Sequence, residues 1–296
     1  MILVTGGTGF VGSHLVPRLA QTGNKIRCLV RNRAEAKALE AHGVELVPGD
    51  VTDLQSLEQA MPGVETVIHL VAVIREGKGA TFNGINVGGT RNVVQAALGA
   101  GVRRFIHMSA LGVGPDPKYR YTYSRWQGEE AVRSSNLNFT IFRPSVIFGA
   151  GAGFIAQLIR AIKMFPLLTP VAGSGKTLLQ PIWIEDVAAC VVQALTGDHN
   201  GQTYEIGGPE HLAYEQILDI IMDTIGAKRI KVHLPLLLMR PAVMAMEKVM
   251  PNPPVTMVEL AQLRVDNITD LDSVERLFGF EPLPLSRGLD YIKSPQ

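Results

Sequence analysis

The sequence predicts an α/β fold, a doubly wound parallel sheet with helices on both faces, with a smaller C-terminal α/β lobe. Short Val- and Ile-rich runs alternate with helix-length segments through the first half of the chain. These runs are apolar along their whole length, which is typical of parallel strands covered on both faces. Their alternation with helices predicts βαβ units and therefore a parallel sheet.

The elements of the first half follow from where each apolar run begins and what stops each helix. Glycine after a helix-length segment marks its end at Gly23, Gly43 and Gly101, and the pair Pro62-Gly63 does the same. The predicted strands are 2–5, 25–30, 45–48, 66–70, 104–109 and 139–143, and the predicted helices are 10–22, 34–42, 54–61, 86–100 and 121–134.

The rhythm changes after residue 149, which predicts a first domain over 1–149 and a smaller lobe over 150–296. A return of the chain to the first sheet around 180–206 is the open alternative. Asp186 is the expected N-cap of a helix that runs to residue 195. The lobe is predicted to contain helices at 153–165, 214–225 and 270–279, strands at 180–184 and 203–207, and a segment rich in Pro and Met over 234–257.

Composition restricts the classes of function. The 296 residues carry a net charge of +1, with 46% hydrophobic and 19% charged residues. No basic stripe is present, which argues against nucleic-acid binding. Cys28 and Cys190 share no metal-ligand spacing and stand in apolar stretches, so we expect buried free thiols in a reducing compartment and no metal site.

The start of the chain and its apolar runs bear on location. The first residues, MILVTG, begin a strand directly, without the features of a secretory signal. No apolar run reaches the roughly 18 residues needed to span a bilayer. We therefore expect a cytoplasmic protein without a transmembrane segment, with peripheral contact at the membrane as an alternative.

The motif TGGTGFVG carries the strongest functional signal. Its glycines follow a strand at once and open a helix, the context that makes a Gly-rich string specific for dinucleotides. Glycines permit a tight turn and close approach to a pyrophosphate, and the helix N-terminus supplies free N–H groups. This predicts a Rossmann domain over 1–149, with cofactor contacts from Gly6, Thr8, Gly9, Phe10, Val11 and Gly12.

The end of the second strand bears on the choice of cofactor. An NAD site usually places Asp or Glu there to accept from the ribose 2′-hydroxyl. Here Arg31 occupies the place and Arg33 follows. A guanidinium attracts a 2′-phosphate and can bind it through two hydrogen bonds. We therefore expect NADP(H), with NAD(H) as the alternative if Arg31 is an ordinary solvated side chain.

The third strand ends in GDVTD, where two acids have different expected roles. Asp50 is placed to accept from an adenine amino group and Val51 to pack on the ring, while the alternative for Asp50 is a turn residue. For Asp53 a helix N-cap is the favoured reading.

These motifs together resemble the short-chain dehydrogenase/reductase superfamily. TGGTGFVG, GDVTD, VIHL, NVGGTRNVVQAA, FIHMSALG and IFRPSVIFG follow one another in that superfamily's order, and IWIEDVA extends the match. Within it the chain looks most like the atypical or extended branch that includes the complex I accessory subunit, an NAD(P)-binding, epimerase/dehydratase-like family. The resemblance covers the whole first half of the chain.

The resemblance implies a catalytic Tyr-x-x-x-Lys pair and a Ser or Thr, from which this chain departs twice. Tyr121 is followed four residues later by Arg125, which keeps the charge but is bulkier and planar. The superfamily hydroxyl aligns with Ala110 better than with the neighbouring Ser109. We expect Tyr121, Arg125 and Ser109 as the catalytic candidates, with a structural Tyr121 as the alternative, and Tyr119 or Tyr123 as rim contacts.

The resemblance also implies cofactor contacts at other strand ends. Asn86 matches a residue that shapes the sheet end, and a plain helix N-cap is its alternative. His69 matches a position near the nicotinamide, although a core histidine is the favoured reading. The remaining implied contacts are Leu70, Val71, Ala72, Met108, Pro144 and Ser145.

Three functions remain open from the sequence. The first is an NADP(H)-dependent oxidoreductase that acts on an apolar carbonyl or quinone-like compound with Tyr121 as acid/base. The second is a non-catalytic NADP(H)-binding structural, assembly or sensor protein of a membrane-associated complex for respiration or quinone synthesis. The third is a sugar-nucleotide epimerase or dehydratase, disfavoured by the short gap between Ala110 and Tyr121 and the missing Ser or Thr.

Met-rich residues 239–257 suit a small apolar substrate, a partner protein or the core of the lobe.

Overall fold

The computed structural model describes residues 1–77, 79–151, 153–165, 167–250, 253 and 255–293. The chain forms two compact units. The first consists of Met1–Pro144 and Glu185–Glu205, and the second of Ser145–Ile184 and Ile206–Gln296. The sequence predicts a domain boundary at residue 149, whereas in the structure the first segment of the first unit ends at Pro144.

The strands are short and lie in both units. They are β1 (Ile2–Thr5), β2 (Ile26–Val30), β3 (Glu45–Pro48), β4 (Thr66–His69), β5 (Arg104–Met108), β6 (Phe139–Pro144), β7 (Ile147–Phe148), β8 (Leu168–Ala172), β9 (Leu178–Leu179), β10 (Ile182–Trp183), β11 (Gln202–Ile206), β12 (Leu212–Ala213) and β13 (Ile230–Leu234).

The helices vary from one turn to four. They are α1 (Phe10–Gln21), α2 (Lys37–Glu40), α3 (Leu54–Ala60), α4 (Thr90–Gly99), α5 (Arg120–Arg133), α6 (Phe154–Met164), α7 (Ile184–Gln193), α8 (Tyr214–Thr224), α9 (Leu236–Val249), α10 (Met257–Gln262) and α11 (Ser273–Phe278). A π-helical segment, Phe82–Gly89, runs directly into α4, and a short 3₁₀ segment spans Asp290–Ile292.

The sheet of the first unit has seven strands in the order β11-β6-β5-β4-β1-β2-β3. The neighbouring strands from β1 to β6 pair in parallel, with Ile2 opposite Ile26 of β2 on one side and Thr66 of β4 on the other. The chain winds outwards from β1 to β3 and then in the opposite direction from β4. The predicted doubly wound sheet is thus confirmed, and its reversal point is the gap between β1 and β4, where open α/β sheets bind ligands.

Two predicted elements of the first unit need correction. The helix expected over 34–42 is reduced to Lys37–Glu40, because the Asn32 side chain accepts from Ala34 N and donates to Glu35, which closes a turn instead. The helix expected to begin at Asn86 begins earlier as the π-helical segment. Thr81 is its N-cap, and its hydroxyl accepts from Gly84 N.

Two further corrections concern residues 180–195. The strand expected over 180–184 is reduced to β10 (Ile182–Trp183), and Gln180-Pro181 separates β10 from β9. The Gln180 side chain donates to Gly208 O, and Pro181 has no N–H for a ladder. Asp186 is not an N-cap, because α7 begins at Ile184 and places Asp186 in its first turn.

Each unit has its own apolar core. Leu3, Phe105 and Ile141 are fully buried in the first, and Ile155 and Ile217 are fully buried in the second. Cys28 and Cys190 are buried free thiols, as predicted. Burial raises the pKa of Cys28 to about 12, which keeps it an unreactive thiol.

Candidate functional site

The turn between β1 and α1 is shaped by two glycines. Gly6 has φ of +80° and lies against the end of β4, where a Cβ would meet Val71 N at 3.1 Å. A Cβ on Gly12 would lie 2.2 Å from Gly6 O, so only glycine lets α1 pack so closely on the turn. Thr8 and Gly9 are exposed at the tip, and Gly9 caps α1 without a side-chain hydrogen bond. The N–H groups of the first turn of α1, at Phe10, Val11 and Gly12, have no capping side chain, which suits a phosphate.

The two arginines after β2 differ in their contacts. Arg33 donates from Nε and Nη2 to Oε1 of Glu40, at 3.2 and 3.0 Å. Arg31 is exposed and makes neither a hydrogen bond nor an ion pair within the described part of the chain. Arg31 therefore offers a full guanidinium fork to an anion at the end of β2, whereas Arg33 is already paired with a carboxylate.

At the end of β3, Asp50 has the turn role that was its alternative, and Asp53 has the N-cap role that was favoured for it. Asp50 Oδ1 accepts from the backbone N and the hydroxyl of Thr52, at 2.8 and 2.7 Å, which leaves its second oxygen available. Asp53 is the N-cap of α3 and accepts from Gln55 N. Val51 is 5% exposed and belongs to the core of the first unit, so little of it is open to a ring.

The end of β4 closes against the glycine turn. Leu70 N donates to Thr5 O, and Leu70 and Val71 are half-buried while Ala72 is exposed. His69 is fully buried between the hydroxyls of Thr5 and Thr90, at 2.7 and 3.1 Å. Burial, helped by the charge of Arg125, lowers the pKa of His69 to about 3, so His69 is a neutral core histidine.

Asn86 holds the segment after β4 in place. Its Oδ1 accepts from Val73 N at 2.8 Å, while Nδ2 donates to Val73 O and to the Ser124 hydroxyl, both at 3.0 Å. The alternative of a plain helix N-cap is wrong, since Asn86 lies inside the π-helical segment. These contacts tie the segment after β4 to α5. A direct cofactor contact from Asn86 stays a prediction.

Tyr121 lies in the first turn of α5. It is half-buried, and its ring lies 5.8 Å from that of Phe82 in the π-helical segment. Burial raises the pKa of Tyr121 above its ordinary value, and the nearby charge of Arg125 opposes the rise. Arg120 pairs with Glu76 at 2.8 Å and so links the segment after β4 to this end of α5.

Arg125 is turned inward from α5. It is 2% exposed, and Nη2 donates to the carbonyl oxygen of Met108 at the end of β5. Its Nε and Nη1 have no hydrogen-bond partner in the described residues. Burial lowers the pKa of Arg125, while Tyr121 and Glu129 oppose the shift. The guanidinium thus supplies positive charge beside Tyr121, but one of its nitrogens is hydrogen-bonded to the backbone of β5. The Met108 carbonyl oxygen already accepts that hydrogen bond, and its predicted contact with a cofactor stays a prediction.

Ser109 is 6% exposed, and its hydroxyl has no hydrogen-bond partner in the described residues. Glu129 lies two helical turns, about 12 Å, beyond Tyr121 along α5. Arg143 binds Glu129 with Nε and Nη2 at 2.9 and 2.7 Å. Burial alone would raise the pKa of Glu129, but the hydrogen bonds from Arg143 and the charges of Arg143 and Arg133 hold it below its ordinary value. A catalytic role for Ser109 stays a prediction.

Pro144 and Ser145 have structural partners. Pro144 O accepts from Leu111 N at 2.9 Å. Ser145, in the second unit, donates from its hydroxyl to Asn267 Oδ1 at 2.8 Å and from its N–H to Ile206 O. Their role toward a nicotinamide stays a prediction.

The sequence reasoning missed a cluster beside α1. Glu185 binds His14 Nδ1 with one oxygen and Arg18 Nε with the other, each at 2.5 Å. Burial alone would raise the pKa of Glu185, but these two hydrogen bonds hold it below its ordinary value. The available signal was the spacing of His14 and Arg18, four residues apart on one face of α1. The cluster joins the returning segment to the helix that follows the glycine turn.

The chain belongs to the NAD-dependent epimerase/dehydratase family, whose model matches residues 2–207. This confirms the resemblance and a nicotinamide dinucleotide as the class of cofactor. None of the described helices is long and apolar enough to cross a membrane.

Three similar proteins illustrate the range of the family. A ceramide reductase from Caulobacter vibrioides is 33% identical over 192 residues, 65% of this chain and 60% of that protein. Subunit 9 of the mitochondrial NADH dehydrogenase (ubiquinone) 1 alpha subcomplex from Arabidopsis thaliana is 30% identical over 230 residues, 75% and 57% of the two chains. The chain thus spans about three fifths of the length of these relatives. The structure of an NADPH-dependent quinone oxidoreductase from Escherichia coli, complexed with NADPH, has a TM-score of 0.80 at 21% identity over 99% of this chain and 100% of that one, which shows a shared fold.

Proposed function

We propose that this chain is an NADP(H)-dependent reductase of an apolar carbonyl or quinone-like compound, with Tyr121 as the proton donor. The observation that carries the proposal is that Tyr121 is half-buried beside the buried charge of Arg125. A tyrosine is protonated at neutral pH, and burial keeps Tyr121 in that form. Tyr121 can therefore give a proton to a carbonyl oxygen, and the charge of Arg125 stabilises the phenolate that forms.

The residues around the glycine turn fit the dinucleotide. The uncapped N-terminus of α1 would hold the pyrophosphate. Because Gly6 and Gly12 have no Cβ, the backbone of the turn stays accessible to the phosphates. Arg31 would hold the 2′-phosphate of NADP(H), because its guanidinium has no other partner in the described residues. The second oxygen of Asp50 remains for an adenine amino group.

The reduction needs one hydride and one proton. When bound, the reduced nicotinamide supplies the hydride to the carbonyl carbon. The Tyr121 O–H bond breaks as its proton passes to the carbonyl oxygen, and the resulting phenolate is stabilised by Arg125 until it regains a proton from water. The names of two similar proteins, a ceramide reductase and a quinone oxidoreductase, support an apolar substrate.

A non-catalytic, NADP(H)-binding role in a membrane-associated complex is the second candidate. Two observations favour it. Arg125 donates from Nη2 to the Met108 carbonyl, and Ala110 stands where the superfamily hydroxyl is expected. The similarity to the complex I subunit also supports it. A sugar-nucleotide epimerase or dehydratase stays third, because Ala110 supplies no hydroxyl for the substrate.

Cofactor binding is tested by thermal unfolding with NADPH and NADH. A ligand that binds only the folded state raises the unfolding midpoint. We expect a larger rise with NADPH, a loss of that difference in Arg31→Ala, and little change in the matched control Arg33→Ala, whose guanidinium is already paired. Equal shifts with both cofactors in the wild type would contradict the NADP(H) assignment.

Catalysis is tested by NADPH consumption with long-chain ketones and quinones. We expect Tyr121→Phe to lose roughly a hundredfold or more in turnover, the usual contribution of a general acid, with an unchanged NADPH-induced thermal shift. Tyr123→Phe is the matched control and should retain activity. Intact cofactor binding with no turnover on any such substrate would favour the non-catalytic role.

A further inference from the structure

Helix α9 in the second unit is apolar on both of its faces. Its inner residues, Leu236, Met239, Val243 and Met246, follow helical spacing and pack on the core of the unit. On the other side Leu237, Leu238, Met244 and Val249 are 68%, 70%, 49% and 82% exposed. A helix on the surface of a globular protein normally presents a polar outer face. Exposed apolar side chains in this number on one helix indicate an interaction surface.

The outer face of α9, defined as Leu237, Leu238, Arg240, Pro241, Met244, Ala245, Lys248 and Val249, carries only positive charge. Leu237, Arg240, Pro241, Met244, Ala245 and Lys248 line one open depression. Neither Arg240 nor Lys248 has a hydrogen bond or ion pair within the described residues. The single acid of the helix, Glu247, is not part of the outer face, and its Oε1 accepts a hydrogen bond from Met257 N at 2.9 Å.

We propose that the outer face of α9 docks on an anionic lipid surface, with the helix lying in the plane of the headgroups. The apolar side chains would enter the boundary of the acyl chains, while Arg240 and Lys248 extend to the phosphates. The 14 residues of α9 make a helix of about 21 Å, too short to cross a bilayer. The helix therefore binds on the surface rather than spanning the membrane.

Charge separates this partner from a second copy of the chain. In a twofold dimer the same face meets itself, so two copies each of Arg240 and Lys248 would share one apolar interface. No acid of the outer face is present to neutralise them, and like charges brought together at an interface are costly. Anionic headgroups complement both the cations and the apolar residues between them.

The test is co-sedimentation of the full chain with phosphatidylcholine vesicles that contain or lack phosphatidylglycerol. We expect binding to the anionic vesicles only, reversed by salt. Arg240→Gln with Lys248→Gln should weaken binding by about 30-fold, from roughly 1 kcal/mol for each cation near the surface. Leu237→Glu with Met244→Glu should abolish it.

The controls are matched in exposure and charge. Leu271→Glu changes a 50% exposed leucine outside α9, and Lys25→Gln with Arg91→Gln removes two exposed cations of the first unit. Both should bind vesicles like the wild type, and every variant should keep the wild-type unfolding midpoint. Equal binding to neutral vesicles, or no binding, overturns the proposal. So does a wild-type dimer that Leu237→Glu with Met244→Glu converts to monomer.

Discussion

The buried guanidinium of Arg125 donates from Nη2 to the carbonyl oxygen of Met108, at the carboxyl end of β5. The resemblance to the short-chain dehydrogenase/reductase superfamily implies a lysine at this position, with its amine on the ribose of the cofactor. The fork of Arg125 binds backbone instead, and two of its nitrogens have no hydrogen-bond partner in the described residues. The position therefore carries positive charge beside Tyr121, and its hydrogen bond is to the backbone of the sheet.

Replacing Arg125 with methionine separates the effect of its charge on turnover from its effect on the free energy of unfolding. An apolar side chain of similar length removes a buried cation, so we expect the free energy of unfolding to change by less than about 2 kcal/mol. Turnover should fall at least tenfold, because without the cation the pKa of Tyr121 rises further and its proton is given up less readily. Urea unfolding and NADPH consumption measure the two effects. Arg125→Lys, which keeps the charge, should retain more turnover; a loss of turnover equal to that of Arg125→Met would count against an electrostatic role.

The pH dependence of the reduction follows from the same pair of residues. Burial raises the pKa of Tyr121, so the protonated and active form persists through neutral and mildly alkaline pH. Turnover should decline only as the pH rises past the ordinary tyrosine value of about 10. Rates of NADPH consumption at saturating substrate across this range provide the measurement. A decline centred well below that value would show that a different group donates the proton.

Glu129 is a second buried charge with a testable role. Its carboxylate is fully buried and binds both Arg143 and Arg133. Removing one partner of a buried ion pair leaves the other uncompensated, so Glu129→Gln should lower the free energy of unfolding by about 3 kcal/mol. Because the pKa of Glu129 is lowered in the folded state, its contribution is present above the unfolded pKa and is lost as the pH falls through the folded value.

Urea unfolding of Glu129→Gln at several pH values checks this sign. The difference from the wild type should be largest near neutral pH and shrink in acid. Glu130→Gln is the matched control, because Glu130 is the neighbouring and exposed partner of Arg133 and should cost at most about 1 kcal/mol. A difference that grows in acid would contradict the lowered pKa.

Local patterns predicted the glycine turn and most of the sheet. The strand, turn and helix from Ile2 to Gln21 match the predicted bounds to within one residue, because an apolar run, the glycines and helical spacing all lie within one short segment. The π-helical segment escaped prediction since nothing in its spacing distinguishes it from an α-helix. The division at Gln180-Pro181 escaped because the Gln180 side chain binds Gly208 O and Thr269 N, far along the chain.

The sequence indicated which residue types form the candidate site, but not which atoms those residues contact. Arg125 was identified from its spacing to Tyr121, but its inward turn depends on the Met108 carbonyl of another element. The ion pair between Glu129 of α5 and Arg143 of β6 could be found only in three dimensions. Glu185 was passed over for Asp186 because its partners, His14 and Arg18, lie more than 160 residues away.

The close approach at Gly12 provides the last prediction. A Cβ there would lie 2.2 Å from Gly6 O and 2.6 Å from Gly7 Cα, both backbone atoms of the turn that cannot move without reshaping it. Gly12→Ala should therefore cost about 1–3 kcal/mol of stability and also abolish the NADPH-induced thermal shift, because the same backbone forms the phosphate cradle. Gly99→Ala in α4 is the control. A Cβ at Gly99 meets nothing within 4 Å, so that variant should be stabilised by roughly 0.5–1 kcal/mol and bind NADPH normally. If Gly12→Ala unfolds and binds NADPH like the wild type, the turn is not the binding site.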